Sequence, residues 1–147
     1  MSQTGVTAFD STIQTTNVWL REILERLGWQ ERHRAYHALR AVLHALRDRL
    51  PVDQVAALGA QLPMLIRGFY YEGWQPSKPQ TKTRHLEDFL SAIEDEAGRS
   101  FAPDVQSKVK AVFATIAGKI DAHEIEKLRK VLPSELQPLL MEEFYLY

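Results

Sequence analysis

The chain has no cysteine, which excludes disulfides, thiolate nucleophiles and cysteine-bound metal centres. It also lacks long apolar runs: none approaches the about 20 residues that a membrane-spanning helix needs. The opening MSQTGVTAFD has neither the basic start nor the apolar stretch of a secretory leader. Charge of either sign is not in excess, with 18 Lys and Arg against 19 Asp and Glu, so no global field draws the chain to nucleic acid or to an anionic membrane. No glycine-rich phosphate loop, GxSxG elbow or HExxH pair is present. The acidic group Glu94, Asp95 and Glu96, close to Arg99, reads as ordinary helix-surface charge. Together these absences predict a cytoplasmic, non-enzymatic protein with no cofactor and no catalytic residues.

What the chain does contain is one pattern written twice. LRAVLHALRDRLPVDQVAALGAQLP, Leu39 to Pro63, returns as VKAVFATIAGKIDAHEIEKLRKVLP, Val109 to Pro133, at a constant offset of seventy residues. The register aligns Trp19 with Phe89, Ile23 with Ile93, Gly28 with Gly98, Leu46 with Ile116, Leu58 with Leu128 and Leu62-Pro63 with Leu132-Pro133. A gapless match of apolar positions, a turn glycine and a proline implies two copies of one supersecondary unit. Two copies are too few for a solenoid and must close on a shared core. The expected fold is therefore a single all-α domain over residues 1–147. It is a helical bundle of two pseudo-symmetric repeats with about four helices each: repeat one at about 10–74, a connector at about 75–84, and repeat two at about 85–144.

Local signals divide each copy. Asp10 or Ser11 can cap a first helix whose face is Ile13, Leu20, Ile23, Leu24 and Leu27, and Gly28 stops it, which sets Trp29 against Leu24. From about Gln30 to Leu50, Tyr36, Leu39, Val42, Leu43, Leu46 and Leu50 form one stripe with Ala38, Ala41 and Ala45 opposite, the pattern of a helix packed on two sides. Pro51 ends it and a short third helix follows. Gly68, with Pro138 at the same place in the second copy, predicts a bend in the fourth segment. Thr83 can cap the first helix of the second copy, Ala102-Pro103 opens its long helix, and Asp121 with Glu124 fits a reciprocal cap. An ion pair of Glu94 with Arg99 replaces the Leu24–Trp29 contact.

With these segments in view, the chain resembles a bacterial family, domain of unknown function 2267. The long repeated segments, the FLSAIEDEAG helix and the YYEGWQPSKP connector carry the resemblance, from about Val18 to Met141. It implies an all-helical fold of two related halves and brings with it no reaction, cofactor or catalytic residue.

Three sets of residues are candidates for function. His33 and His37 lie one helical turn apart, a spacing that can place two imidazoles on one metal or a small molecule, although Arg34 beside them discourages a cation. Arg40 and Arg47, with Lys78, Lys82 and Arg84 of the connector, form a nucleic-acid-binding strip if the connector folds back over the second helix. Phe144, Tyr145, Leu146 and Tyr147 are apolar anchors at the end of the chain, suited to a protein partner or a second copy. Phe69, Tyr70, Tyr71 and Trp74 read as a seal between the two halves. The leading expectation is a protein-interaction or scaffold module able to self-associate.

Overall fold

The first amphipathic stretch forms α1 (Thr7–Leu27) and the two-sided stretch forms α2 (Arg32–Arg47). Past Pro51 the chain makes α3 (Val52–Gln61) and α4 (Met64–Tyr71), then α5 (Leu86–Ala97), α6 (Val105–Ala117) and α7 (Ala122–Val131). Two 3-10 turns, Gly98–Phe101 and Gln137–Leu140, complete the set. This computed structural model describes residues 3–82 and 85–140, the Arg99 side chain excepted, and among them there is no strand. The protein is an all-α helical bundle, and none of its described helices is long and apolar enough to cross a membrane.

The core is drawn from both halves of the chain. Leu39, Val42, Leu43 and Leu46 of α2 are buried, and so are Val109, Val112, Phe113 and Ile116 of α6 at the offset of seventy. Trp19 with Phe89, Ile23 with Ile93, Leu58 with Leu128 and Ile66 with Leu136 are buried in the same register. Removing one such side chain from water stabilises the fold by about 1.5–3 kcal/mol, so these positions dominate the apolar driving force. The predicted second face of α2 is real: Ala38, Ala41 and Ala45 are buried, and Ala35 with them, because α1, α5 and α6 all pack on this helix.

Helix ends recur at the same offset. Leu27 and Ala97 end α1 and α5, Arg47 and Ala117 end α2 and α6, and α3 and α7 match at both ends. The packing is exchanged in the same way: α1 lies on α6 and α5 on α2, while α2 meets α6 and α3 meets α7. Hydrogen bonds follow. Arg67 Nη2 donates to the Leu62 carbonyl at 2.9 Å, and Gln137 Nε2 donates to the Leu132 carbonyl at 3.0 Å. Both side chains satisfy a carbonyl left open where a third helix ends.

Several local expectations are corrected. α1 begins at Thr7, ahead of Asp10; the Asp10 carboxylate reaches back to accept the amides of Gln3 and Thr4, a favourable place for an anion at the positive end of a helix. Gly68 does not bend α4, which runs through it, since one glycine weakens a helix by only about 1 kcal/mol. The second half replaces this helix by the 3-10 turn around Pro138. α6 starts at Val105, after a cis Ala102–Pro103 bond, so Pro103 precedes the helix. The cap of α7 is half of the expected pair: Asp121 accepts from the His123 amide at 3.0 Å, but the Asp121 amide donates to Gln61 of α3. Glu124 is buried instead of closing the reciprocal bond. Gly28 is left-handed as expected, with φ 68° and ψ 25°, and the Trp29 amide donates to the Leu24 carbonyl. Gly98 shares the positive φ of 71° but has ψ −154°, and leads into a 3-10 turn. Thr83 and the Arg99 side chain lie outside the described residues.

Candidate functional site

Three features gather on and beside the first half: a polar clasp, an apolar groove and a walled cavity. The clasp arises because α4 ends in carbonyls that need donors. Arg40, His44 and Arg47 recur at helical spacing along α2 and face that end. His44 Nε2 donates to the Phe69 carbonyl at 2.6 Å, and its Nδ1 lies 2.9 Å from the Glu96 carboxylate of α5. Arg47 Nη1 donates to the carbonyls of Tyr70 at 2.7 Å and Glu72 at 2.9 Å, while its Nε holds Asp48. Arg40 donates to the Tyr36 hydroxyl at 3.0 Å, pairs with Glu72, and has Glu96 at 3.6 Å. The Tyr36 hydroxyl first, and then the two carboxylates, hold the Arg40 guanidinium more firmly protonated than usual.

The same helix end is fixed from below. The Tyr70 hydroxyl donates to the Val55 carbonyl at 2.8 Å, and burial pushes its ionisation above the ordinary tyrosine range. Tyr71 lies so close over Gly59 that a Cβ there would collide with its ring, which explains a glycine inside α3. Phe69 meets Tyr36, Tyr70 meets Tyr71, and Tyr71 meets Trp74, with ring centres 4.9–5.5 Å apart. These ring contacts lie within the first half. The aromatic bridge between halves is Trp29 against Phe101, helped by Arg49 over Phe89.

The groove runs between α1 and α4, with a volume of about 780 Å³. Phe9, Ile13, Met64, Leu65 and Phe69 line it, with Thr4, Asn17 and Glu72 among its polar members. Phe9 is 50% exposed, Met64 47% and Leu65 43%, high values for large apolar side chains gathered in one place. Thr12 fastens the two walls by accepting the Leu65 amide at 2.9 Å.

The connector does fold back. The Thr81 amide donates to the Asp48 carbonyl at 2.8 Å and Gln80 Nε2 to the Arg49 carbonyl at 2.6 Å, so residues 73–81 arch over the end of α2 and enclose a cavity. Of the five basic residues singled out in the sequence, the fold brings Arg47 and Lys78 together at this cavity. Arg40 is engaged in the clasp on the same helix, Lys82 is exposed, and Arg84 lies outside the described residues. His33 and His37 are both exposed on the first turns of α2, their ring centres 6.3 Å apart, and His33 faces Glu31 at 3.4 Å. No group of three or more potential metal ligands gathers among the described residues. Phe144, Tyr145, Leu146 and Tyr147 lie outside them. Sequence reasoning took Glu96 for ordinary surface charge and missed Glu72, Phe9 and Met64. The first two acquire meaning only from partners on other helices, and Phe9 was hidden by the late start assigned to α1.

The repeated register, the helical bundle and the connector over α2 can now be set beside known sequences. A family profile described as an uncharacterized conserved protein, DUF2267, matches residues 16–139. The chain belongs to the DUF2267 family. None of the curated proteins compared with it matches. The profile begins inside α1, so the clasp and the cavity lie wholly within the DUF2267 match, whereas Phe9 and Ile13 of the groove precede it.

Proposed function

We propose that this DUF2267 protein is a non-enzymatic interaction module, one helical unit in two copies, whose α1/α4 groove receives the same face of a second copy. The observation that carries the reading is the clustering of Phe9, Met64 and Leu65, all more than two-fifths exposed, in one groove beside a complete core. A face of this kind buries apolar area without rearranging the fold. A second copy is the favoured occupant because the net charge of −1 sets up almost no repulsion between copies. A two-fold pairing would place each α1 against the partner's α4. The register of the two copies, set at about 10–74 and 85–144 around the connector, is supported by the helix ends that match at the offset of seventy.

Sedimentation velocity across a wide concentration range tests the reading. A dimer that Leu65→Glu converts to monomer, with the melting temperature unchanged, is the expected result. A wild-type chain that stays monomeric at the highest concentration, or a dimer indifferent to Leu65→Glu, overturns it. A nucleic-acid strip along α2 is less well supported, since Arg40 is taken up by the Tyr36 hydroxyl and by the carboxylates of Glu72 and Glu96.

A further inference from the structure

The cavity beneath the connector has a composition that neither the clasp nor the groove explains. It encloses about 600 Å³ between the end of α2 and residues 73–81. Arg47 is only 5% exposed, yet its Nε and Nη1 take all the protein acceptors it has, so both N–H groups of Nη2 are unpartnered among the described residues. The Lys78 ammonium and the Trp74 indole N–H, on the same wall, also have no partner there. The one carboxylate lining the cavity, Asp48, already accepts from Arg47 Nε. The unused groups are therefore donors, two of them cationic, and a buried arginine is anchored rigidly enough to aim at a ligand rather than swing in solvent.

We propose that this cavity binds a small organic phosphate: a phosphate monoester carried on a flat ring system. A phosphate offers three acceptor oxygens and a charge of about −1.5 to −2, which suits two cations and an indole N–H better than the two oxygens of a carboxylate do. The volume exceeds what a bare inorganic anion fills and lies within the about 300–1,000 Å³ of small-molecule sites. Trp74, Pro76 and Pro79 supply a flat apolar wall for the ring. Arg47 and Lys78 hold the phosphate, and Trp74 stacks on the ring. The site is independent of the groove and of self-association.

Isothermal titration of the full chain with adenosine 5′-monophosphate is the test, with adenosine, inorganic phosphate and an oligodeoxythymidylate titrated alongside. The expected result is saturable one-to-one binding of the nucleotide, with adenosine and phosphate each weaker. Lys78→Glu, at an exposed position without an internal partner, lowers the affinity at least about tenfold, as loss of a charge-assisted contact does, and leaves the melting temperature unchanged. Absence of saturable nucleotide binding at millimolar concentration overturns the proposal, as does undiminished binding by Lys78→Glu. Adenosine binding as tightly as its monophosphate overturns the phosphate assignment, and a tighter oligonucleotide overturns the small-molecule assignment in favour of strand binding.

Discussion

The two halves bury the same apolar stripe, Leu39, Val42, Leu43 and Leu46 against Val109, Val112, Phe113 and Ile116, and treat their other faces differently. Leu43 of α2 and Phe113 of α6 are equally buried at the offset of seventy, but where α2 carries Arg40, His44 and Arg47, α6 carries Lys110, Ala114 and Ala117. The first half ends in a full helix, α4, whose carbonyls are received by His44 and Arg47; at the matching place the second carries the 3-10 turn Gln137–Leu140, the last of its described residues, and the alanines of α6 offer no side-chain donor. The first nine residues of α1 occupy the register that the connector and His85 hold in the second half. One half uses that length to wall a groove and the other to close a cavity. The comparison teaches that a shared core constrains where apolar side chains stand and leaves the helix faces free to diverge.

The strongest way to break this comparison is to cut the shared core. Leu43→Ala should destabilise the protein by about 2–5 kcal/mol and Phe113→Ala by about 3–5 kcal/mol, each within a single urea transition. Two separate transitions, or a loss near zero on one side, would show that the halves do not share a core. Next comes the clasp. Arg47→Met leaves the buried Tyr70 carbonyl without its donor and should cost about 1–3 kcal/mol. Ala117→Ser at the matching place of α6 should stay below about 1 kcal/mol. Equal losses would mean that the clasp has no special weight.

A double-mutant cycle of His44→Ala with Glu96→Ala sharpens the same point, with an expected coupling of about 0.5–3 kcal/mol. The matching positions, Ala114 and Arg26, have no such bond to lose. The smallest effect concerns charge between the halves. Lys119 holds Glu22 at 3.0 Å, whereas Arg49, its counterpart, lies over the Phe89 ring and the counterpart of Glu22 is Ala92. Burial works to raise the Glu22 carboxyl, but Lys119 and Arg26 outweigh it and hold it below the usual carboxylate range. A depressed folded-state value gives stability that is present above the unfolded-state value and lost as pH falls through the folded one. Glu22→Gln should therefore flatten the acid side of the stability curve by about 0.2–1 kcal/mol at low salt, and by less at high salt. An unchanged acid slope would deny the pair any role.

Most of the helices were legible because period and punctuation agree: Gly28, Pro51 and Pro63 stand where α1, α2 and α3 give way. Misreadings arose where a local signal met a competitor from elsewhere in the fold. Gly68 invites a bend, but α4 is held by Thr12 at one end and by His44 and Arg47 at the other. Asp121 and Glu124 match a reciprocal cap, but Gln61 of another helix takes the bond. The candidate sites were less legible. Arg40 and Arg47 looked like a solvent-facing strip because their spacing is visible in the chain, whereas the carboxylates that claim Arg40 and the carbonyls that claim Arg47 are not.

By itself the sequence determined the helical class, the register of seventy and the identity of the buried face, since apolar periodicity is a local property and burial follows it wherever the helices pack. Only the tertiary structure decided that Arg47 is anchored inside while its Nη2 stays unpartnered among the described residues, that the connector arches over α2, and that Phe9 and Leu65 line one groove. Each of these depends on which backbone carbonyl or helix wall lies opposite a given side chain. That choice is made by the packing of distant segments and leaves no mark in the spacing of residues along the chain.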